Sequence, residues 1–149
     1  MLDKLLSMLR GDQPAAPAKP DELQLAVAAL LVEAAWHDDV FDMPERETIE
    51  RVLAGHFGLD SAQTKELIAA AETPGRSNQL FGFTSKVVKA WEEAERIHLI
   101  EMLWEVAYAD GILDPHEDAL IRKVAGLVYV TDQERGFARR RVRDRLGLK

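Results

Sequence analysis

An acidic bend occurs twice in this chain, 72 residues apart, and it limits the possible folds more than any other feature. Glu33, Ala35, Asp38, Asp42, Glu45 and Ile49 match Glu105, Ala107, Asp110, Asp114, Glu117 and Ile121 at that single offset. Each copy leaves an apolar helical stretch, turns through aspartates and enters a second helix. The second copy is the sharper of the two, with Asp110-Gly111 followed by Asp114-Pro115 and Glu117. Apolar residues elsewhere recur at helical spacing and no stretch alternates as a strand does, so an all-α helical bundle of two pseudo-symmetric helix-loop-helix halves is expected.

Three segments are expected. Residues 1–10 carry Leu2, Leu5, Leu6 and Leu9 at helical spacing. They suit a short amphipathic helix that docks on its own domain, or alternatively makes weak contact with a membrane surface. Residues 11–20 hold Pro14, Pro17 and Pro20 among alanines and read as a linker. Residues 21–149 form the helical domain. Within it, Asp21 caps a helix through Leu23 to Trp36, apolar on every side from Leu25 to Val32, which places it among other helices. A second helix runs from Pro44 to about Gly55, with Gly55 and Gly58 ending it. Asp60 caps a third, which runs to Ala71. From Ser77 to Ala109 only Gly82 interrupts the helical pattern. The repeat nevertheless predicts a break around Trp91 to Glu93, giving helices Asn78 to Ala90 and Glu93 to Ala109. The remaining helices run from Pro115 to Val128 and onward from Asp132, which pairs with Asp60 at the same offset.

The bends admit two chemical readings. Asp42 and Asp114 stand where N-caps belong, and Glu45 and Glu117 stand three residues on, so each Asp-x-x-Glu fits a capping box. Such a cap stabilises a helix start by about 1 kcal/mol and needs no ligand. Asp38 and Asp110 are different, because they close the preceding helix, where the macrodipole disfavours a carboxylate. A left-handed turn at Gly111, or a hard cation such as calcium or magnesium held by the carboxylates, would offset that cost. The candidate metal ligands are therefore Asp38, Asp42, Glu45, Asp110, Asp114 and Glu117. Their spacing is not that of an EF-hand, whose twelfth position would fall on Ile49 or Ile121. Glu33 and Glu105 interrupt apolar helices and are supporting carboxylates that need partners, with His37 a candidate for Glu33 and backbone groups or arginines such as Arg46 or Arg122 as others.

Other motifs are incomplete. His116-Glu117 lacks the second histidine of a zinc-protease helix, and Glu95-x-x-His98 occurs once where a di-iron bundle needs it twice. No phosphate loop or nucleophile elbow is present. The absence of cysteine excludes thiol catalysis and thiolate metal sites. Residues 135–149 carry seven basic side chains against Asp144 alone; removing that +6 from the net −7 leaves −13 on the rest. An acidic body disfavours nucleic acid, and an arginine-rich helix paired with that body is the simpler reading of Arg135, Arg139, Arg140, Arg141, Arg143 and Arg145. The opening residues lack the uninterrupted apolar core of a secretion signal, so a cytoplasmic location is expected.

At these bends the chain resembles the tellurite-resistance TerB family, and more closely its stand-alone TerB-like bacterial branch. The resemblance rests on the segment from Leu103 to Gly111, on Leu113-Asp114, His116-Glu117 and Ile121-Arg122, and on Leu80-Phe81-Gly82-Phe83-Thr84. It covers roughly Leu23 to Phe137. It implies an all-α fold of two related halves, with divalent-metal positions falling on Asp38, Asp42, Glu45, Asp110, Asp114 and Glu117. It further implies a non-enzymatic accessory or scaffold protein of tellurite or stress response; a protein partner, or a basic partner segment at the acidic bends, is expected beside it. Asp39 stands where the second bend has Gly111, so the first turn is expected to be less sharp. Tellurite itself is an anion that acidic bends repel, and no thiol is present to reduce it. Two alternatives remain at this level: a metal-dependent hydrolase using Glu33 or Glu105 as base, and partner or nucleic-acid binding through the arginine-rich helix.

Overall fold

The computed structural model describes residues 22–37, 40–41, 43–72, 80–109, 111 and 113–148. The expected helix at 1–10, the linker at 11–20 and the cap at Asp21 lie outside these. Seven helices appear among the described residues: α1 (Glu22–Ala35), α2 (Met43–Phe57), α3 (Ser61–Ala71), α4 (Leu80–Ala90), α5 (Glu93–Ala107), α6 (Pro115–Leu127) and α7 (Asp132–Leu146). The all-α architecture is as expected. One small departure is an antiparallel ladder between β1 (Trp36–His37) and β2 (Val40–Phe41), pairing Trp36 with Phe41 and His37 with Val40.

Helix α1 forms the axis of the bundle. Its residues from Ala26 to Val32 are all buried, as are Ala34 and Ala35, and it packs against α2, α3, α4, α5 and α6. A helix enclosed on every side needs apolar residues on every side, as the unbroken run in the sequence supplies. Helix α5 packs on α1, α2, α6 and α7 and buries Leu99, Ile100, Met102, Leu103 and Trp104. Ile49 and Leu53 of α2, Ile68 of α3 and Ile121 of α6 complete the core. Among the described residues no helix is long and apolar enough to cross a membrane.

The predicted break between α4 and α5 is present although no glycine or proline marks it. Trp91 is buried and its amide still closes α4 on the Val87 carbonyl at 2.8 Å. Glu92 then swings to an extended conformation (φ −87°, ψ 177°). Glu95 accepts a hydrogen bond from the Glu92 amide at 3.3 Å, and an Arg96 guanidinium nitrogen donates to the Trp91 carbonyl at 2.7 Å. Backbone groups freed by the break are thus taken up locally.

Helices α2 and α6 end in the same way. Gly58 (φ +67°) and Tyr129 (φ +61°) adopt the left-handed conformation. The next amide, Leu59 or Val130, reaches back to the carbonyl of Ala54 at 3.1 Å or of Ala125 at 2.8 Å, a Schellman closure. Two positions after each left-handed residue comes a cap: Asp60 accepts from the Gln63 amide at 2.7 Å, and Thr131 from the Glu134 amide at 3.1 Å. Two expectations are corrected here. Helix α2 continues through Gly55, and the counterpart of Asp60 is Thr131 rather than Asp132. From Gly58 to Tyr129 the offset is 71, one less than the 72 separating the buried Val52 and Val124.

Candidate functional site

The second bend is built from a chain of local hydrogen bonds. After α5, the Ala109 amide donates to Val106 at 3.2 Å and the Gly111 amide to Tyr108 at 2.8 Å. Gly111 sits at φ +85°, the left-handed turn its sequence position suggested. Asp114 (φ −80°, ψ 133°) caps α6, and Pro115 occupies the first turn. The Asp114 carboxylate accepts from the His116 amide at 2.6 Å rather than from Glu117, two positions on instead of three. Proline has no amide hydrogen, so the His116 amide is the first donor the cap can reach.

Glu117 is 2 % exposed and Glu45 3 % exposed. Both stand at the third position of their helix, α6 and α2, and both are turned into the protein where surface carboxylates would normally face water. The first bend differs in detail, because the β1–β2 ladder stands where the second has its glycine turn. Of the six candidate ligands, Glu45, Asp114 and Glu117 are described; Asp38, Asp42 and Asp110 lie outside the described residues. No group of three or more histidine or acidic side chains gathers among the described residues. The donor chemistry that is described, carboxylate oxygens alone, fits a hard cation such as calcium or magnesium.

Glu105 does have arginine partners, though not those anticipated. Arg51 of α2 approaches it at 3.0 Å and Arg145 of α7 at 3.0 Å. Arg145 also reaches Glu101 at 3.3 Å, and Arg141 reaches the same carboxylate at 2.9 Å. Three helices are tied by this network. Burial works against the Arg145 charge, but the hydrogen bonds it donates to Glu105 and then Glu101, with the charges of those carboxylates, hold its guanidinium protonated above its ordinary range. Glu33 is half-buried and has no ion pair among the described residues; Arg46 bonds Glu72 at 3.0 Å and Arg122 bonds Asp118 at 3.5 Å.

The arginines of α7 serve the domain itself. Arg139 donates to the Tyr108 hydroxyl at 2.6 Å and lies over the Trp104 ring at 5.6 Å, and Arg143 lies over Tyr108 at 5.7 Å. The Trp104 indole donates to the Arg135 carbonyl at 3.2 Å, and the Arg135 side chain pairs with Asp132 at 2.6 Å. Of the six arginines singled out in the sequence, only Arg140 has no such partner among the described residues.

Sequence reasoning overlooked a further cluster. His56 near the end of α2 stacks on His98 of α5 with ring centres 5.1 Å apart, and meets Phe57 at 4.8 Å and Trp91 at 5.2 Å. Burial, followed by the charge of His98, lowers the His56 pKa against a smaller opposing effect of Glu95. Only the lone Glu95-x-x-His98 spacing hinted at it.

A bundle threaded by one enclosed helix, with buried glutamates at the starts of two others, places the chain among all-α helical proteins. The chain matches the family Tellurite resistance protein TerB over residues 24–140, and it belongs to that family. No curated protein and no solved structure matches it. Membership connects the chain with tellurite resistance at the level of the family.

Proposed function

We propose that this chain is a non-enzymatic, cytoplasmic TerB-like accessory protein that takes up a divalent cation at its acidic bends and presents the loaded surface to a protein partner. The observation that carries this reading is the burial of Glu45 and Glu117 at matching positions of α2 and α6. Two buried carboxylates at matching helix starts set negative charge beside both bends, where a cation is favoured over an anion. Asp114 adds a carboxylate beside Glu117 in the sequence of the second bend, and Asp38, Asp42 and Asp110 supply the remaining acidic groups in the sequence. An all-oxygen set of this kind favours calcium or magnesium over metals that prefer nitrogen or sulfur. The role of Glu105 as an ion-pair hub speaks against its use as a catalytic base, since it is occupied by Arg51 and Arg145.

Calorimetric titration with calcium, magnesium and manganese tests the proposal, with Glu45→Gln and Glu117→Gln as shape-preserving variants. Heat of binding in the wild type that falls in both variants is expected. Wild-type protein that gives no heat at about millimolar metal would reject the cation role.

A further inference from the structure

We infer that His56 and His98 form a second, chemically distinct metal site, a two-histidine chelate for a borderline divalent transition metal such as zinc, nickel or copper. The imidazoles come from different helices, α2 and α5, and their ring centres are 5.1 Å apart. Two imidazoles sharing one tetrahedral zinc at Zn–N distances of about 2.0–2.1 Å have ring centres about 5 Å apart. The observed separation therefore needs side-chain rotation and little movement of the helices. Rings inclined by 26° must turn so that a nitrogen of each faces the shared ion.

The surroundings suit that ligand pair. His98 is exposed and His56 half-buried, so an ion can enter from solvent while one ligand is held by the fold. Phe57 and Trp91 pack around His56 and restrict its ring. The charged or titratable groups that bear on His56 are His98 and Glu95, both from α5; Glu95 places negative charge beside a bound cation. No third donor is gathered among the described residues, which leaves the other coordination positions to water. Imidazole nitrogen selects the transition metals, whereas the carboxylates of the bends select calcium and magnesium.

Titration calorimetry with zinc on the full chain at pH of about 7.5 tests this. Wild type should bind one zinc whose affinity falls in His98→Ala by at least the roughly 10–100-fold that loss of even an outer-shell partner costs. His98 is exposed, so its removal should leave the helical circular dichroism unchanged. His116→Ala and Glu117→Gln should keep the zinc site, which separates it from the acidic bends and lets each proposal fail alone. Absence of zinc binding by wild type at about millimolar metal, or undiminished affinity in His98→Ala, overturns the inference, as does loss of the site in His116→Ala.

Discussion

The shared ending of α2 and α6 makes a prediction of opposite sign at two positions. Gly58 and Tyr129 have nearly the same left-handed backbone, φ +67° and +61°, but only one of them is glycine. A side chain in that conformation costs about 1–2 kcal/mol relative to glycine. Against this, a side chain restricts the unfolded chain and recovers about 0.4–1 kcal/mol. A Cβ placed on Gly58 meets no heavy atom within 4 Å, so no clash is added and the balance is conformational. Gly58→Ala should therefore lower stability by about 1 kcal/mol, and Tyr129→Gly should raise it by about the same amount. Tyr129 is 72 % exposed, so little buried area is lost with its ring. In a domain of this size each change moves Tm by about 2–4 °C. Urea unfolding followed by circular dichroism gives both values, with an unchanged slope confirming that the surface exposed on unfolding is not altered. Destabilisation in Tyr129→Gly would refute the conformational argument.

Three other predictions follow from the packing and the charges. Ile121 of α6 is fully buried, and Ile121→Ala should cost about 2–5 kcal/mol by leaving a cavity, measured by the same unfolding assay. Glu105→Gln removes the carboxylate shared by Arg51 and Arg145; because those arginines are 62 % and 48 % exposed, solvent screening limits the loss to about 1 kcal/mol. The difference from wild type should shrink in high salt, and a loss independent of salt would contradict the ion-pair account. His56 has a lowered folded-state pKa, so its neutral form is favoured by folding. That contribution is fully present above the unfolded value of about 6.5 and is lost as pH falls through the lower folded value. Urea midpoints should fall over that acidic window in wild type and fall less in His56→Gln; identical profiles would remove His56 from the cause.

Much of the architecture could be read from residue pattern because helices leave strong local marks. The unbroken apolar run from Leu25 to Val32 required an enclosed helix, and α1 is one. The break at Trp91 and Glu92 was harder, since neither residue stops a helix by itself, and only comparison of the two bends located it. Gly55 misled because glycine in a helix costs little enough for neighbours to override, whereas the left-handed residue that ends α2 is Gly58. The match of Asp60 to Asp132 failed through a one-residue slip between Val124 and Tyr129, which a fixed offset cannot register. At the bends, residue type identified Glu45, Asp114 and Glu117, but their environment depends on tertiary packing. Burial of both glutamates and the choice of the His116 amide by Asp114 could not be deduced from spacing. The histidine pair escaped notice for a related reason: His56 and His98 meet only because α2 packs across α5.

The enclosure of α1 has a consequence for synthesis on the ribosome. Its greasy surface is made before α5, the helix that covers much of it, whose first residue lies 58 positions beyond Ala35, at Glu93. At about 5–20 residues per second, that surface waits roughly 3–12 seconds for its cover. During that interval the nascent chain is a natural client for a holding chaperone, and slowing elongation before Glu93 should increase aggregation of newly made protein.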